Sequence, residues 1–345
     1  MRLRSKRHVL AAAGIALAMA TANPAYAGAE AANAAASQCQ GTDMLAEFAT
    51  KDPGLYAQVM EAARAQDNSE ALLWKIQKTG GAVSYLFGTV HLSDPRVTKL
   101  SQKVQAALAD AKGLAIEVAD LSDAAMSKAM GDAAGLVVYT DGQTLTGKLT
   151  PDEYKQVQDI VTKSGMPGEF AAMLKPWIVN MLLSVSECER RQVATGAPVL
   201  DMLLAEEARK RSIPVSGLES IEQQLASLAG IPEDQQIQML KSGLKYADRT
   251  DDMMETMVQL YLKRQIGAAV PFQLALAAKS GTPDTAFDGF QKSLLVDRNV
   301  RMREGIKALL DKGSTFVAVG ALHLPGKTGL VALLKDAGYT LTPVE

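Results

Sequence analysis

Residues 72–118 read LLWKIQKTGGAVSYLFGTVHLSDPRVTKLSQKVQAALADAKGLAIEV, and this stretch decides the fold. Two β-rich runs, 72–77 and 83–90, flank a Gly-Gly pair that indicates a hairpin. A Ser-Asp-Pro capping sequence then predicts a helix over 93–112. A third strand over 114–118 follows it. Strands joined by a helix are typical of a parallel sheet.

The C-terminal part repeats this pattern, with a β-branched strand at 315–319, a helix at 329–337 and a last edge strand at 339–343. The middle, about 122–312, is largely helical and carries one short strand at 213–216. Helices are predicted at 43–64, from the capping box at 150–153, and at 176–190, 198–211, 220–229, 233–247, 251–264 and 293–312. The predicted class is α/β, with a mostly parallel central sheet flanked by helices and a helical middle insertion.

The N-terminus has the features of a secretory signal peptide. Residues 1–27 combine four basic residues, an apolar run too short for a bilayer and an Ala-Tyr-Ala cleavage site that ends at Ala27. We expect a flexible lead-in at 28–42 and a single domain at 43–345. The predicted location is the periplasm or the exterior, with no stable membrane span after cleavage. The alternative is a retained N-terminal anchor.

The amino-acid composition and net charge exclude several classes of protein. The chain is 48% apolar and 21% charged, which argues against a disordered, collagen-like or polytopic membrane protein. Loss of residues 1–27 leaves 32 Lys plus Arg against 38 Asp plus Glu, a net charge of −6. No basic patch stands out, so nucleic acid is not an expected partner.

The mature chain keeps two cysteines, Cys39 and Cys188. In an exported protein they are expected to form a structural disulfide between the N-terminal segment and the middle of the chain. Neither belongs to a Cys-x-x-Cys pair, which argues against redox catalysis. Two independent thiols are the alternative.

Histidine is scarce, and its context is repeated. The chain has three histidines, of which His8 falls in the signal peptide. His91 and His323 each follow an apolar strand in the frame Gly-x-x-His, as GTVH and GALH. A glycine at a strand end permits close approach of the backbone to a ligand, and imidazole is a good metal ligand or acid–base group.

Two glutamates occupy comparable positions. Glu117 interrupts the apolar strand at 114–118, and Glu219 ends the strand at 213–216. A buried carboxylate is costly unless it is paired or bound to a cation. Two imidazoles and two carboxylates suit a divalent ion such as Zn²⁺, Mn²⁺, Fe²⁺ or Co²⁺, and we expect His91, Glu117, Glu219 and His323 to hold it.

Other catalytic motifs are absent from the sequence or lack an essential residue. The sequence has no Gly-x-Ser-x-Gly nucleophile elbow and no His-Glu-x-x-His zinc helix. Residues 142–148 resemble a phosphate loop, but a leucine follows in place of the Ser or Thr that would hold Mg²⁺. Residues 321–328 contain bulky side chains and a proline where such a loop needs N–H donors. Nucleotide binding is therefore not expected.

From about residue 73 to the C-terminus, the chain resembles the TraB/PrgY/GumN family, which includes the Tiki metalloproteases. The segments that carry the resemblance are YLFGTVHL at 85–92, AIE at 115–117, KPW at 175–177, GLE at 217–219 with Glu222 and Gln223, DRN at 297–299, and VGALHL at 319–324 with Gly326 and Gly329. Asp297 stands where the family usually has Glu.

The resemblance implies a fold similar to erythromycin esterase and ChaN-like proteins, with divalent-metal-dependent peptidase activity. It makes His91 and His323 the paired histidines and Glu117 their acidic partner. Arg298 and Asn299 would polarise a substrate carbonyl or stabilise an oxyanion, with capping or salt bridging as their structural alternative.

The expected function is therefore that of an exported, metal-dependent hydrolase, most simply a peptidase using Mn²⁺, Co²⁺ or Zn²⁺, with a peptide or protein as substrate. A glutamate not used as a ligand, Glu117 or Glu219, would serve as general base. The alternatives are a non-catalytic peptide- or pheromone-binding protein, and an esterase or accessory protein of polysaccharide export.

Overall fold

The structure, a computed structural model, describes residues 39–78, 80–120 and 122–345. The predicted signal peptide and the lead-in up to residue 38 lie outside the described residues. The strands are β1 (Leu73–Gln77), β2 (Ser84–Thr89), β3 (Gly113–Ile116), β4 (Val215–Gly217), β5 (Thr315–Gly320) and β6 (Thr340–Pro343).

The strands form one sheet in the order β4-β3-β5-β2-β1-β6. The pairs β4–β3, β3–β5 and β5–β2 are parallel. Antiparallel partners flank β1 on both sides, so among the six strands it alone runs in the opposite direction. The predicted hairpin, the edge position of β6 and the α/β class are confirmed.

Helices cover the sheet and form most of the middle of the chain. The α-helices are α1 (Met44–Lys51), α2 (Pro53–Arg64), α3 (Pro95–Thr98), α4 (Gln102–Ala109), α5 (Asp123–Asp132), α6 (Ala134–Val137), α7 (Pro151–Lys163), α8 (Pro176–Leu183), α9 (Glu187–Ala194), α10 (Leu200–Lys210), α11 (Ile221–Ala229), α12 (Glu233–Leu244), α13 (Thr250–Leu262), α14 (Ala269–Lys279), α15 (Asp288–Phe290), α16 (Asp297–Leu310) and α17 (Leu330–Asp336). A π-helix (Gln291–Val296) leads into α16, and short 3₁₀ helices include Ala321–His323.

Both faces of the sheet are buried. On β5, Phe316 and Ala318 pack on one face against α1, α2, α4, α10, α13 and α14. Val317 and Val319 pack on the other face against α16 and α17. This explains why the parallel strands are apolar at consecutive positions. A third cluster, centred on Trp177, joins α5 to α8 with α11 and α12.

Several predicted elements differ from the structure. The helix predicted over 93–112 is two helices, because Lys99 is extended and Ser101 caps α4 by accepting from the Val104 N–H. The helix predicted over 43–64 is likewise divided at Asp52, which caps α2. The one predicted over 176–190 is divided before Ser186, which caps α9. A short polar cap restarts each helix within a continuous apolar pattern.

The third strand is also shorter than predicted. It ends at Ile116, so Glu117 follows the strand and does not interrupt it, and β4 occupies Val215–Gly217 rather than 213–216. Helix α14 was not predicted. Its N-cap residue Ala268 makes no side-chain capping hydrogen bond, and Pro271 lies in its first turn. The capping box at Thr150 is present as predicted.

The predicted disulfide between Cys39 and Cys188 is present and joins the start of the described chain to α9. The two cysteines are 149 residues apart in the sequence, so the bridge closes a long loop. None of the helices in the described residues has the length and apolar character that crossing a membrane would require.

Candidate active site

Three adjacent strands carry the candidate residues at their carboxyl ends. His91 follows β2, Glu117 follows β3, and His323 lies three residues beyond Gly320, the last residue of β5. The sheet order places β5 between β3 and β2. Carboxyl ends of parallel strands meet at one edge, where α/β proteins bind ligands. The sheet therefore brings together groups that are more than two hundred residues apart in sequence.

Both imidazoles face the same carboxylate. Nε2 of His91 lies 4.0 Å from Oε2 of Glu117, and Nε2 of His323 lies 3.7 Å from Oε1. The backbone N–H of Gly320 donates to Oε1 at 2.7 Å and fixes the carboxylate. Glu117 and His323 are buried, whereas 46% of the His91 side chain is exposed. The centre is therefore open to solvent on the side of His91.

The glycines of the two Gly-x-x-His motifs serve different purposes. A Cβ on Gly320 would lie 3.2 Å from Oε1 of Glu117, so this glycine leaves room for the carboxylate. A Cβ on Gly88 would lie 2.7 Å from Leu324 and 3.0 Å from Ala321, so this glycine allows the two motifs to pack together. Gly320 therefore makes room for a residue of the site, whereas Gly88 permits close packing in the core beneath it.

The tautomer of His323 follows from its neighbour. The side-chain NH₂ of Asn299 donates to the Thr328 carbonyl at 2.8 Å, so its oxygen is the atom 2.7 Å from Nδ1 of His323. An amide oxygen can only accept, so Nδ1 carries a proton and the Nε2 lone pair of the neutral ring faces Glu117. Burial lowers the pKa of His323 to about 4, which keeps the ring neutral at pH 7.

His91 has a carboxylate partner instead. Nδ1 of His91 lies 2.8 Å from Oδ2 of Asp201, which is in the first turn of α10. The other carboxylate oxygen of Asp201 accepts from the Thr89 hydroxyl at 2.7 Å. The negative charge of Asp201 raises the pKa of His91 to about 9. Without a bound cation, His91 is therefore protonated at neutral pH.

Glu117 is held as an anion. Nη2 of Arg298 donates to its Oε2 at 2.6 Å, and Nε2 of Gln224 donates to the same oxygen at 3.1 Å. Burial opposes ionisation, but the two imidazoles, the guanidinium of Arg298 and the N–H of Gly320 hold the pKa of Glu117 well below its usual range. The site thus has a permanent negative charge that faces two imidazoles.

Glu219 pairs with two arginines beside this centre. Its side chain is fully buried, and its two oxygens accept from Nε of Arg298 at 2.8 Å and from Nη2 of Arg301 at 3.0 Å. Two guanidiniums therefore pair with the carboxylate that was expected to be a metal ligand or a general base. In this arrangement Glu219 anchors Arg298 against Glu117.

Arg298 and Asn299 lie beside the centre, and their side-chain hydrogen bonds are to other protein groups. Arg298 connects Glu117 with Glu219, and only 11% of its side chain is exposed. Asn299 is buried, and both ends of its amide are occupied by His323 and Thr328. The geometry fits Asn299 as an orienting group for His323, whereas Arg298 supplies a fixed positive charge.

The donor set fits a divalent cation. When the rings are neutral, the Nε2 lone pairs of His91 and His323 face the Glu117 carboxylate, so three acceptors converge without a hydrogen between them. Each ring donates its other N–H to a fixed acceptor, as metal-binding histidines usually do. Within the described residues, no cluster of His, Cys, Asp and Glu already has the spacing of a metal site. The two distances from the rings to the carboxylate, 4.0 and 3.7 Å, end on different oxygens of Glu117, so the three side chains would have to move closer to share one ion.

Sequence reasoning missed Asp201, Thr89 and Gln224. Thr89 lies inside the first Gly-x-x-His motif, and the available signal was a hydroxyl residue at the end of a predicted apolar strand. Asp201 and Gln224 lie on predicted helices among many other polar residues. Only the packing of α10 and α11 against the carboxyl edge of the sheet reveals their contacts.

The fold and the site together define a class of protein. It is an α/β protein with two imidazoles and a glutamate at the carboxyl edge of its sheet. Residues 72–343 match the model of the TraB/PrgY/gumN family, and the chain belongs to this family. No solved structure matches the chain significantly, so the expected likeness to erythromycin esterase and ChaN-like folds stays a prediction.

Curated relatives extend the comparison. Metalloprotease TIKI2 of Xenopus tropicalis is 24% identical over 325 residues, which cover 80% of this chain and 60% of the relative. Metalloprotease TIKI1 of Homo sapiens is 24% identical over 327 residues, covering 79% and 62%. Uncharacterized protein YbaP of Shigella flexneri is 23% identical over 256 residues, covering 74% and 89%. The chain thus spans about 60% of the length of the TIKI relatives.

Proposed function

We propose that this protein is an exported hydrolase that depends on a divalent metal ion and cleaves peptide bonds. The observation that carries the proposal is the convergence of the His91 and His323 Nε2 atoms on the Glu117 carboxylate, at 4.0 and 3.7 Å. These three residues would hold the ion. A site of two histidines and one glutamate leaves coordination positions for substrate and water.

When bound, a divalent cation supplies a Lewis acid that polarises a peptide carbonyl and makes water a stronger nucleophile. Asp201 and Asn299 hold the two rings with Nε2 directed at Glu117. Arg298 keeps Glu117 ionised through its ion pair with that carboxylate. Glu219 is proposed as the anchor of Arg298, because both of its oxygens accept hydrogen bonds from guanidiniums.

The choice of peptides as substrate rests on the relatives. Those of animal origin are named metalloproteases. The family match over residues 72–343 includes both Gly-x-x-His motifs of this chain. The partly exposed His91 gives an extended substrate access to the centre from the solvent side. Mn²⁺, Co²⁺ and Zn²⁺ are the candidate ions, since imidazole and carboxylate ligands accept all three.

The test begins with metal content of protein purified without chelator. Chelated protein is then reloaded separately with Mn²⁺, Co²⁺ or Zn²⁺ and incubated with a peptide library. We expect cleavage with at least one ion, and loss of both binding and cleavage in His91→Ala and His323→Ala. Glu117→Gln should behave in the same way. Glu207→Gln, at a partly exposed position of α10 where Glu207 pairs with Arg211, is the control.

The outcomes separate the candidate functions. Cleavage by a folded His91→Ala/His323→Ala double variant at the wild-type level would exclude the proposed centre. Stoichiometric peptide binding without turnover under all three ions would identify a peptide-binding protein instead. Turnover of ester substrates alone would indicate an esterase.

Export is proposed from the signal-like residues 1–27, with cleavage after Ala27. The Cys39–Cys188 disulfide is consistent with an oxidising compartment outside the cytoplasm. N-terminal sequencing of the protein from the periplasm or medium should begin at Gly28. An uncleaved chain that fractionates with membranes would instead support the retained anchor.

A further inference from the structure

We propose that Asp201 is the positioning residue of His91, and that Thr89 locks Asp201 in place for this task. The proposal rests on the proposed function, because it concerns how the exposed ligand of the same centre is held. It assigns a role to two residues that are not themselves proposed to hold the ion. Their effect would reach a bound ion only through the imidazole of His91.

The contacts form a closed arrangement between β2 and α10. Asp201 Oδ2 lies 2.8 Å from Nδ1 of His91, and Oδ1 accepts from the Thr89 hydroxyl at 2.7 Å. The N–H of Leu200 donates to the carbonyl of Leu92 at 3.2 Å, which ties the start of α10 to the residue after His91. One carboxylate therefore binds two residues of a single Gly-x-x-His motif.

The direction of the hydrogen bond sets the function of the ring. An ionised carboxylate has no hydrogen to donate, so Nδ1 of His91 must carry the proton. Nε2 is then the atom that faces Glu117. If the ring turned over about its Cβ–Cγ bond, Cε1 would take the place of Nε2, and a carbon instead of the ligand nitrogen would face Glu117. Partners of this kind orient metal-binding histidines.

The two histidines differ in how much they need such a partner. His323 is enclosed, with 4% of its side chain exposed, so packing restrains its ring together with Asn299. His91 has 46% of its side chain exposed, so solvent surrounds much of the ring. For His91, the bond to Asp201 is the main restraint.

The sequences of the two motifs show the same difference. The residue after the glycine is Thr89 in GTVH and Ala321 in GALH. Alanine has no hydroxyl, and His323 correspondingly has an amide as its partner and not a carboxylate. The hydroxyl of Thr89 is fully buried and satisfied by Asp201. Thr89 thus belongs to the first motif for a reason that does not apply to the second.

The test uses the mature chain, in which His91 and His323 are the only histidines. In metal-free wild type, NMR of the imidazole groups should show a Nδ1–H of His91 that is protected from exchange and shifted downfield by its carboxylate partner. Asp201→Ala should lose this signal while the Nδ1–H of His323 remains. A wild-type spectrum without a protected His91 Nδ1–H would overturn the proposal whether or not a metal binds.

Zn²⁺ affinity, measured by calorimetry, is the second readout. Asp201→Ala should weaken binding about 10- to 100-fold, the usual effect of losing such a partner. Thr89→Val, which keeps the shape but not the hydroxyl, should show a smaller loss, and Thr89→Ser should restore wild-type affinity. Glu207→Gln on the same helix is the control and should bind Zn²⁺ like wild type.

The results distinguish this proposal from the proposed function. If wild type binds no divalent ion while the protected Nδ1–H is present, the metal centre is wrong and the positioning contact stands. If wild type binds Zn²⁺ and Asp201→Ala binds it equally well, the centre stands and the positioning role is wrong. A loss in Thr89→Val that Thr89→Ser does not restore would also contradict the role of the hydroxyl.

Discussion

The carboxamide oxygen of Asn299 accepts a hydrogen bond from Nδ1 of His323 at 2.7 Å, and the amide cannot turn over because its NH₂ donates to Thr328. Asn299 immediately follows Arg298 in the first turn of α16. The same turn therefore orients one candidate ligand and, through Arg298, the carboxylate opposite it. This arrangement explains why two neighbouring residues affect one centre through different partners.

Asn299→Ala should weaken divalent-metal binding by about 10- to 100-fold, because His323 loses the acceptor that fixes its tautomer. Zn²⁺ titration of the chelated protein measures this. Asn299 is also buried, so its loss leaves the Thr328 carbonyl without that donor and lowers stability by about 1–3 kcal/mol. Unfolding in urea with chelator present reports the stability change separately. Unchanged Zn²⁺ affinity in the folded variant would contradict the orienting role.

Substitutions of the two motif glycines should have different consequences. Gly320→Ala introduces a Cβ 3.2 Å from Oε1 of Glu117, so the carboxylate must move and its bond from the Gly320 N–H should weaken. We expect a loss of metal affinity with little change in stability. Gly88→Ala instead brings a Cβ to 2.7 Å from Leu324 and 3.0 Å from the Ala321 backbone, and overpacking should reduce stability by about 1–3 kcal/mol.

Metal titration and urea unfolding of both variants test this contrast. Gly113→Ala, at a position where an added Cβ meets no atom within 4 Å, is the control. If Gly320→Ala and Gly88→Ala lose the same proportions of affinity and stability, the two glycines do not have the separate tasks inferred from the structure.

Local signals in the sequence were enough to predict the sheet and the two histidines. The strands around Phe87 and Phe316 are apolar at consecutive positions because both faces are buried, and each ends in a Gly-x-x-His frame. The order of strand and helix then predicts that their carboxyl ends meet. That inference does not need any contact between side chains.

The roles of the carboxylates could not be predicted in the same way. Glu117 and Glu219 both follow apolar strands, and sequence alone treats them alike. Their difference comes from α16, which places Arg298 between them and Arg301 on Glu219 alone. Those guanidiniums are about 80 residues from Glu219 in sequence, the sequence separations being 79 and 82. Pairings over such distances depend on the tertiary packing.

Glu219→Gln should destabilise the fold and leave the metal stoichiometry unchanged. The substitution removes the negative charge shared by Arg298 and Arg301, and breaking a buried ion pair costs about 3–5 kcal/mol. Urea unfolding measures the loss, with the exposed Glu304→Gln as the matched control. Metal analysis should still give the wild-type ratio. Loss of the metal at unchanged stability would restore Glu219 as a ligand.

Replacing the disulfide by Cys39→Ser/Cys188→Ser should reduce the free energy of unfolding by about 2–4 kcal/mol, because the unfolded chain gains the freedom of a long loop. The bridge also joins residue 39 to α9, so the N-terminal segment should become more susceptible to proteolysis. Urea unfolding of wild type with and without a thiol reductant provides the comparison. Identical midpoints in all three samples would contradict a stabilising bridge.

Glu189 gives the fold a pH dependence whose sign can be derived. Its side chain is buried and accepts the N–H of Ser93 at 2.6 Å. Burial raises the pKa of Glu189, although the Ser93 hydrogen bond opposes the shift and the Asp94 charge adds to it. The carboxyl of the unfolded chain has a pKa of about 4.3, so just above that pH the native state holds a proton that the unfolded state has lost. Stability should therefore fall as the pH rises through this interval.

Glu189→Gln removes that dependence, because the amide oxygen still accepts from Ser93 and cannot ionise. Urea midpoints of wild type and variant are measured between pH 4.5 and 7.5. The two histidines titrate in both proteins, so their contribution to the pH dependence cancels when the midpoint of wild type is subtracted from that of the variant. We expect the variant to gain relative stability as the pH rises. Gln156 is exposed and uncharged, so Gln156→Ala is a control whose curve should run parallel to wild type. A Glu189→Gln curve that also runs parallel to wild type would mean that Glu189 titrates alike in the folded and unfolded chains.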